Sequence, residues 1–372
     1  MLYDVAVIGA GPAGSVTATK MAENGLDVCL FERDEFAGKN NVCAGGLDYG
    51  TFSGLAITEK VIEKRLGGIL FRGEKGLLGK AKGDWVTVQR SIFDRALAEK
   101  ASKSCDYFPG ATVNDVRRQG CNWVIGTTDK KFNSKIVIFA DGPLSRIRKK
   151  LGIGFEPKRG NCYLSVIREF HSDETGDCLE MVFDGGVSPA GYGWLFPKKD
   201  HVNIGMGTFN NTNCKPKQSM DYMLEKYYPE FSGKKPFLER AALIPASIAK
   251  KLSSESGLIA VGDAGGFVEP LTGGGISTGI RSGILAAEVA SSAVENNDIA
   301  LVKNFESTIR KQGMFLLFNV QSAFLQPRSN APFLYRKFLT DVFATGAYVT
   351  AVGFASKIIS PHKKEFGKGI SW

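Results

Sequence analysis

The N-terminal segment constrains the possible fold of this chain more than any other feature. It reads Asp4-Val-Ala-Val-Ile-Gly9-Ala-Gly11-Pro-Ala-Gly14, an apolar strand followed by a glycine-rich turn and a helical stretch. The spacing predicts a βαβ dinucleotide-binding unit. In such a unit Gly9 makes the turn, Gly11 leaves room for a pyrophosphate, and Gly14 allows the helix to pack closely on the strand. The helix that begins near Pro12 would direct its free N–H groups at the phosphates.

A second short strand, Val28 to Phe31, ends at an acidic residue. Glu32 stands where a carboxylate accepts hydrogen bonds from an adenosine ribose, and its charge disfavours a 2′-phosphate. The pattern therefore predicts FAD or NAD rather than NADP. The candidate contacts in this unit are Gly9, Gly11, Pro12, Ala13, Gly14, Glu32 and Arg33.

The bulk composition is that of an ordinary globular protein, with 43% hydrophobic and 23% charged residues. A length of 372 residues allows two or three domains. The first strand begins at Leu2 or Tyr3, so we expect no signal peptide. Seven cysteines without CxxC spacing favour reduced thiols in the cytoplasm over disulfides or a metal site.

The C-terminal region is basic and rich in aromatic residues. Leu301 to Trp372 contains ten Lys and Arg, three Asp and Glu, and twelve aromatic residues. This composition suggests contact with an anionic surface, either membrane or nucleic acid, or else a solvated basic face over packed aromatic rings. The uncharged run Val342 to Ser356 falls short of the roughly 20 apolar residues that a membrane span needs.

Two later apolar runs resemble further parallel strands of the nucleotide-binding domain. Lys135 to Ala140 is followed by Asp141-Gly142, and Gly257 to Gly262 is followed by Asp263. A helix is predicted from about Ser91 to Lys103, with Ser91 and Asp94 as a capping box.

The sequence pattern between the two runs is different, because short β-like segments alternate there with Gly, Pro, Asp and Asn. We predict an α/β fold in which a Rossmann-type domain contains an inserted antiparallel substrate sheet, which would cover the carboxyl ends of the strands. The predicted parts are residues 1–154 with a small excursion near 60–85, the inserted sheet 155–250, the returning domain 251–300, and a helical region 301–372.

Three segments together resemble the FAD-dependent family that includes aromatic hydroxylases, geranylgeranyl reductases and quinone-linked flavoproteins. They are the fingerprint with Glu32, the segment Asp141-Gly-Pro-Leu-Ser-Arg-Ile-Arg148, and Gly262-Asp-Ala-Gly-Gly-Phe-Val-Glu-Pro270 with its following glycines. The resemblance, over about residues 1 to 295, implies that Asp263 binds the ribityl hydroxyls and Arg90 lies along FAD. It also implies cofactor contacts at Asp141, Gly142, Gly274, Gly275 and Ile276.

A fourth segment narrows the resemblance to the geranylgeranyl reductases. Pro189-Ala-Gly-Tyr-Gly-Trp-Leu-Phe-Pro197, followed by Gly205-Met-Gly207, is similar to their YxWxFP…GxG signature, and the histidine of the hydroxylase motif is absent. Strand alternation places Tyr192, Trp194 and Phe196 on one face, which would bind a long apolar polyene. The alternative is that this face packs the core of a sheet.

Cys43 stands where these reductases carry a Cys-x-x-Gly segment. The resemblance implies that Cys43 and Ala44 border the flavin and the substrate double bond. The alternative for Cys43 is an inert buried thiol. Either Cys43 or Tyr192 could protonate one alkene carbon after hydride transfer to the other.

The predicted function is therefore FAD-dependent saturation of isoprenoid or prenyl-lipid double bonds. The alternatives are an aromatic monooxygenase and a flavoprotein that passes electrons to quinone. The chain has no second GxGxxG unit, so both NADPH and a ferredoxin-type carrier stay open as the electron donor. With a lipid substrate, we expect a cytoplasmic enzyme in peripheral contact with the inner membrane face, and no nucleic-acid partner.

Overall fold

The protein is described from a computed structural model that covers residues 1–39, 42–154, 159–168, 176–189, 191–209, 214–245, 248–270, 272–316 and 318. The predicted run Val342 to Ser356 and most of the predicted helical region 301–372 lie outside these residues. Among the described residues, no helix is long and apolar enough to cross a bilayer.

The described strands are β1 (Leu2–Ile8), β2 (Val28–Phe31), β3 (Gly46–Asp48), β4 (Ile62–Gly73), β5 (Gly76–Val88), β6 (Asp106–Phe108), β7 (Val113–Gln119), β8 (Asn122–Thr127), β9 (Lys131–Phe139), β10 (Arg159–Arg168), β11 (Leu179–Phe183), β12 (Gly191–Pro197), β13 (His201–Phe209), β14 (Leu238–Pro245), β15 (Ser253–Ser254) and β16 (Leu258–Ala260). The α-helices are α1 (Pro12–Glu23), α2 (Tyr49–Gly54), α3 (Arg90–Ala101), α4 (Arg146–Lys150), α5 (Pro216–Tyr227), α6 (Ile276–Glu295) and α7 (Phe305–Lys311). Short 3₁₀ helices span Glu59–Val61, Pro229–Phe231, Gly262–Gly265 and Ile299–Asn304.

The chain forms two compact units, and each is assembled from separate stretches of sequence. The first contains Met1–Asn41, Arg90–Lys158 and Pro245–Phe318. Within the described residues, the second contains Val42–Gln89 and Arg159–Ile244.

The first unit is built on a sheet of order β15-β16-β9-β1-β2-β6, extended by β8 and β7. Strand β1 pairs in parallel with both β2 and β9. Val5 and Val7 enter one core cluster with residues of α1 and α6, whereas Ala6 and Ile8 enter a second cluster on the opposite face. Because both faces are covered there, the strand is apolar at every position from Val5 to Ile8. The α/β fold class and the parallel strands predicted at 135–140 and 257–262 are confirmed.

The second unit is a sheet of order β14-β10-β13-β12-β11-β4-β5-β3. The strands in this sheet and their pairing differ from the sequence-based prediction in two respects. The excursion near 60–85 belongs to this sheet rather than to the nucleotide-binding unit. The sheet is also not wholly antiparallel, because β11 pairs in parallel with β4, as in the register Leu179 to Ile69. Local alternation cannot reveal a partner strand that lies about a hundred residues away in sequence.

Candidate active site

The turn after β1 shows why two of the fingerprint glycines are required by the protein itself. Gly9 has φ +101°, and a Cβ there would lie 2.4 Å from the carbonyl oxygen of Ala140. A Cβ at Gly14 would lie 1.9 Å from the carbonyl oxygen of Gly9. Both glycines therefore let α1 and β9 close tightly on the turn.

Gly11 differs from its neighbours, because a Cβ built on it would meet no atom within 4 Å. It is the N-cap of α1, which has Pro12 in its first turn and no capping hydrogen bond from a side chain. Ala13 points away from this opening, toward Gly262 and Gly279. An open space beside uncapped N–H groups is what a pyrophosphate requires, so these residues fit the phosphate end of a dinucleotide.

Glu32 lies directly after β2 and also organises the turn. Its carboxylate accepts the N–H of Ala10 at 3.0 Å and that of Asp34 at 3.0 Å. Burial raises the pKa of Glu32, while the two N–H donors and nearby Arg33 oppose the rise. Arg33 itself is exposed. A carboxylate oxygen can accept more than one hydrogen bond, so Glu32 can hold the turn and still receive a ribose hydroxyl.

Asp141 follows β9 and is tied to the end of its own motif. Arg148 is almost fully buried; its Nε donates to Asp141 Oδ1 at 3.2 Å and its Nη2 to the carbonyl of Gly142 at 2.9 Å. Burial raises the pKa of Asp141, and Arg148 opposes this shift. A Cβ on Gly142 would meet open space. The Asp–Arg pair thus fixes the loop after β9 and leaves its backbone accessible.

Asp263 and the start of α6 lie next to each other. A Cβ on Gly275 would be 3.3 Å from Asp263 Oδ1. Burial raises the pKa of Asp263 to about 6, and the charge of Arg90 opposes it. No side chain caps α6, which begins at Ile276 after the exposed Gly274. An acceptor beside uncapped backbone donors suits a ligand that carries hydroxyls and a developing negative charge.

The predicted capping box of α3 is wrong. Asp94 is a fully buried partner of Arg90, with Nε–Oδ1 and Nη2–Oδ2 distances of 2.6 and 2.8 Å. The two residues are four apart on one helix face, and a bidentate guanidinium bond is stronger than a single bond to a backbone N–H. This pair fixes the guanidinium that the family resemblance predicts to lie along the cofactor.

The second unit carries the aromatic strand β12. Tyr192, Trp194 and Phe196 share one cluster that includes Ala44, whereas Leu195 enters a cluster on the other face. The predicted one-sided alternation is therefore confirmed. Tyr192 and Phe196 are half-buried, and Trp194 is 6% exposed.

The glycines of the GxG segment explain how this face is built. A Cβ on Gly205 would lie 2.1 Å from Cζ2 of Trp194, so only glycine leaves room for the indole ring. Gly207 accepts the Ser188 hydroxyl at 2.9 Å through its carbonyl oxygen. A sequence signature that spans two strands is thus one packing unit in the sheet.

Cys43 is half-buried in a loop that precedes β3, and it contacts its own turn. The N–H of Gly45 donates to the Cys43 sulfur at 3.3 Å, and Gly45 has φ +70°. A Cβ on Gly46 would lie 2.6 Å from the ring of Phe196. The loop therefore lies against the aromatic face of the same unit, and Ala44 is part of that contact.

Sequence reasoning missed two residues of this region, Lys198 and Asn203. Lys198 Nζ donates to the carbonyl oxygens of Ala44 at 2.7 Å, Val88 at 3.0 Å and Gly45 at 3.4 Å. Asn203 donates to the Cys43 carbonyl at 3.4 Å and accepts the Trp194 indole N–H at 2.9 Å. The available signal was a lysine directly after Pro197, at the end of a strand with no other charge.

Two comparisons with known proteins bear on the family. A model of the geranylgeranyl reductase catalytic domain matches residues 161–243, and one of FAD dependent oxidoreductases matches residues 4–68. The digeranylgeranylglycerophospholipid reductase of Methanocaldococcus jannaschii is 32% identical over 314 residues, or 80% of this chain and 79% of the relative. That of Methanosarcina acetivorans is 32% identical over 320 residues, or 81% of this chain and 78% of the relative. The chain belongs to the geranylgeranyl reductase family.

A solved structure has a similar fold. A geranylgeranyl bacteriochlorophyll reductase-like protein from Thermoplasma acidophilum superimposes with a TM-score of 0.81 at 23% identity, covering 97% of each chain. The family member described here is an FAD-dependent oxidoreductase. Its first unit carries the glycine turn, Glu32 and Asp263, which fit FAD, and its second carries the stretch matched by the catalytic-domain model.

Proposed function

We propose that this enzyme saturates C=C double bonds in the prenyl chains of lipids. The observation that carries the proposal is the aromatic face of β12, with Tyr192, Trp194 and Phe196 in one cluster beside the Cys43 loop. The curated relatives are named for reduction of digeranylgeranylglycerophospholipid, which carries such chains. A row of rings without a charged group suits an apolar polyene better than a small polar substrate.

Binding and alignment must supply much of the catalysis, because an isolated alkene has no carbonyl to polarise. Tyr192 and Phe196 are half-buried and so retain surface for a chain to contact, while Trp194 packs beneath them. Their role is to align the double bond and to exclude water from it.

The bound FAD, when reduced, supplies the hydride for one alkene carbon. A proton must reach the other carbon, and we propose Cys43 or Tyr192 as its source. The Cys43 thiol is half-buried and held by the turn to Gly45, which suits transfer from a fixed position. The product gains one hydrogen on each carbon and loses the double bond.

The function is tested with chemically reduced holoenzyme under anaerobic conditions. We expect geranylgeranyl lipids and geranylgeraniol to be saturated, as read by mass spectrometry, with return of the oxidised flavin absorbance. A panel of prenyl compounds without product would overturn the proposal. Hydroxylation that needs NADPH and oxygen would indicate the monooxygenase, and quinone-driven reoxidation alone would indicate the electron carrier.

The role of Cys43 is tested by Cys43→Ala against Cys121→Ser, which changes an exposed thiol. We expect the first variant to retain FAD and lose at least tenfold in turnover, and the second to behave as wild type. A Cys43→Ala enzyme of normal turnover would leave Tyr192 as the proposed proton source.

We also propose peripheral membrane contact through the basic, aromatic residues 301–372, and either NADPH or a ferredoxin-type protein as donor. The net charge of +9 favours both an anionic lipid surface and an acidic carrier. Flotation of the full chain with anionic liposomes at low and high salt tests the first point. Anaerobic flavin reduction by each donor tests the second.

A further inference from the structure

Lys198 is a buried cation whose hydrogen bonds all go to backbone carbonyl oxygens. The residue is 3% exposed, and Nζ donates to Ala44, Gly45 and Val88. Burial lowers the pKa of Lys198 to about 7, and the nearby carboxylate of Glu63 opposes that shift. Burying an ammonium costs free energy, and a hydrophobic side chain of similar volume would avoid that cost. A specific role is therefore needed to explain the lysine.

The geometry excludes one such role. An ammonium group has three N–H bonds, and all three are directed at carbonyl oxygens of the protein. Lys198 is thus not placed to give a proton to a substrate. The role that these hydrogen bonds indicate is exerted through the backbone that Lys198 binds.

That backbone is the loop carrying Cys43. The carbonyls of three consecutive residues, Cys43, Ala44 and Gly45, each accept a side-chain donor from β13 or from the residue after β12. Lys198 also binds Val88 at the end of β5, and the Val88 N–H donates to Gly45 at 2.8 Å. Residues 42–45 belong to no helix or strand, so these side-chain donors, together with the Val88 N–H, hold the backbone of the loop.

We propose that Lys198 is a positioning residue that holds the Cys43 loop in its reactive conformation, with Asn203 as the second anchor. The proposal rests on the proposed function, in which Cys43 faces the reacting double bond. The cation is suited to this task because one Nζ can bind carbonyls from two separate segments, the loop and β5. A neutral methionine would fill the space but would remove the side-chain donor of the Ala44 and Val88 carbonyl oxygens and leave Gly45 only the Val88 N–H.

The first test compares Lys198→Met with Lys199→Met in the full-length holoenzyme. Lys199 is the adjacent lysine, and its side chain is exposed. We expect Lys198→Met to bind FAD. Peptides over residues 42–48 should exchange their amide hydrogens at least tenfold faster than in wild type, and kcat should fall at least tenfold with KM changed less than threefold. Lys199→Met is expected to match wild type in all three measurements.

Rescue separates positioning from general stability. We expect Lys198→Ala to regain part of its kcat and its slow loop exchange on addition of propylammonium, but not of 1-propanol of similar size. Equal rescue by the alcohol would mean that volume alone matters and would overturn the proposal. Amide exchange and kcat at wild-type values in either Lys198 variant would also overturn the proposal. So would a loss of FAD binding in both variants, if propylammonium did not restore that binding.

The exchange measurement keeps the two proposals distinct. If wild-type enzyme reduces no prenyl compound, the proposed function fails, but loop exchange still reports whether Lys198 holds the loop. If prenyl reduction is normal and loop exchange is unchanged in Lys198→Met, only the positioning proposal fails.

Discussion

Gly11 and Gly14 illustrate how differently single glycines of one motif act. A Cβ at Gly14 would collide with the turn, whereas one at Gly11 would enter empty space. The backbone of Gly11, with φ −66° and ψ −179°, is allowed for alanine. The fold itself therefore needs Gly14, whereas nothing in the fold requires glycine at position 11, which points to a ligand as the reason for Gly11.

This contrast predicts that the two alanine variants affect different properties, FAD affinity in one and apoprotein stability in the other. Gly11→Ala is expected to leave apoprotein stability unchanged and to weaken FAD binding at least tenfold, about 1.4 kcal/mol, because the methyl group enters the pyrophosphate space. Gly14→Ala is expected to destabilise the apoprotein by about 1–3 kcal/mol through overpacking. Thermal melts and FAD titration separate the two. Normal FAD affinity in Gly11→Ala would contradict the assignment.

Asp263 predicts a pH-dependent effect in the apoprotein. Burial raises its pKa to about 6, above the value near 3.9 of an unfolded chain. Between these values the folded state binds more protons than the unfolded state, so this group lowers stability as pH rises through the window, and the penalty persists above it. Asp263→Asn removes the effect.

The melting temperature of Asp263→Asn apoprotein minus that of wild type is therefore expected to grow from pH 4 to pH 6.5. Differential scanning calorimetry at intervals across that range measures it. Asp129→Asn, which changes an exposed carboxylate, serves as the control and is expected to show no such trend. A flat difference for Asp263→Asn would mean that this carboxyl is not desolvated.

At the scale of elements, β12 combines a proposed substrate-binding face with a structural role. Its alternation could be predicted from the sequence, because period-two patterning is local. The hydrogen bond of Trp194 to Asn203 could not, since the partner lies on β13 and its choice depends on strand register. Trp194 thus links the aromatic face to the carbonyl of Cys43 through one amide side chain.

This link predicts coupling between the two residues. Trp194→Phe leaves the buried Asn203 oxygen without its donor, at a cost of about 1–3 kcal/mol in unfolding free energy. The double variant with Asn203→Leu is expected to lose less unfolding free energy than the sum of the losses in the two single variants. The coupling energy is expected to be about 0.5–3 kcal/mol. Urea unfolding of the four holoenzymes measures the cycle. Strict additivity would mean that the two side chains do not interact in solution.

At the scale of the whole molecule, the two units are interleaved along the chain. The first unit returns twice after segments of the second, so the residues that fit FAD come from stretches as distant as Gly9 and Gly275. Such a site is closed by long loops, and ligand binding is expected to contribute strongly to its order.

Removal of FAD is therefore expected to lower stability by RT ln(1 + [L]/Kd), about 2.7 kcal/mol when FAD had been 100-fold above its Kd. Hydrogen exchange should rise most in the turn after β1 and at the start of α6. Gly11→Ala with the same added FAD is the control. A uniform rise across 159–244 would contradict the assignment of FAD contacts.

The sequence by itself determined the nucleotide unit, the order of its motifs and the aromatic face of β12. These features depend on short-range spacing, which sets turns, helix starts and strand alternation within a few residues. The tertiary structure alone decided that β4 and β5 join the second sheet and that Lys198 binds carbonyls at Ala44 and Val88, 154 and 110 residues away. Contacts at such separation depend on strand pairing and burial, and backbone carbonyls carry no side-chain identity that a sequence pattern could reveal.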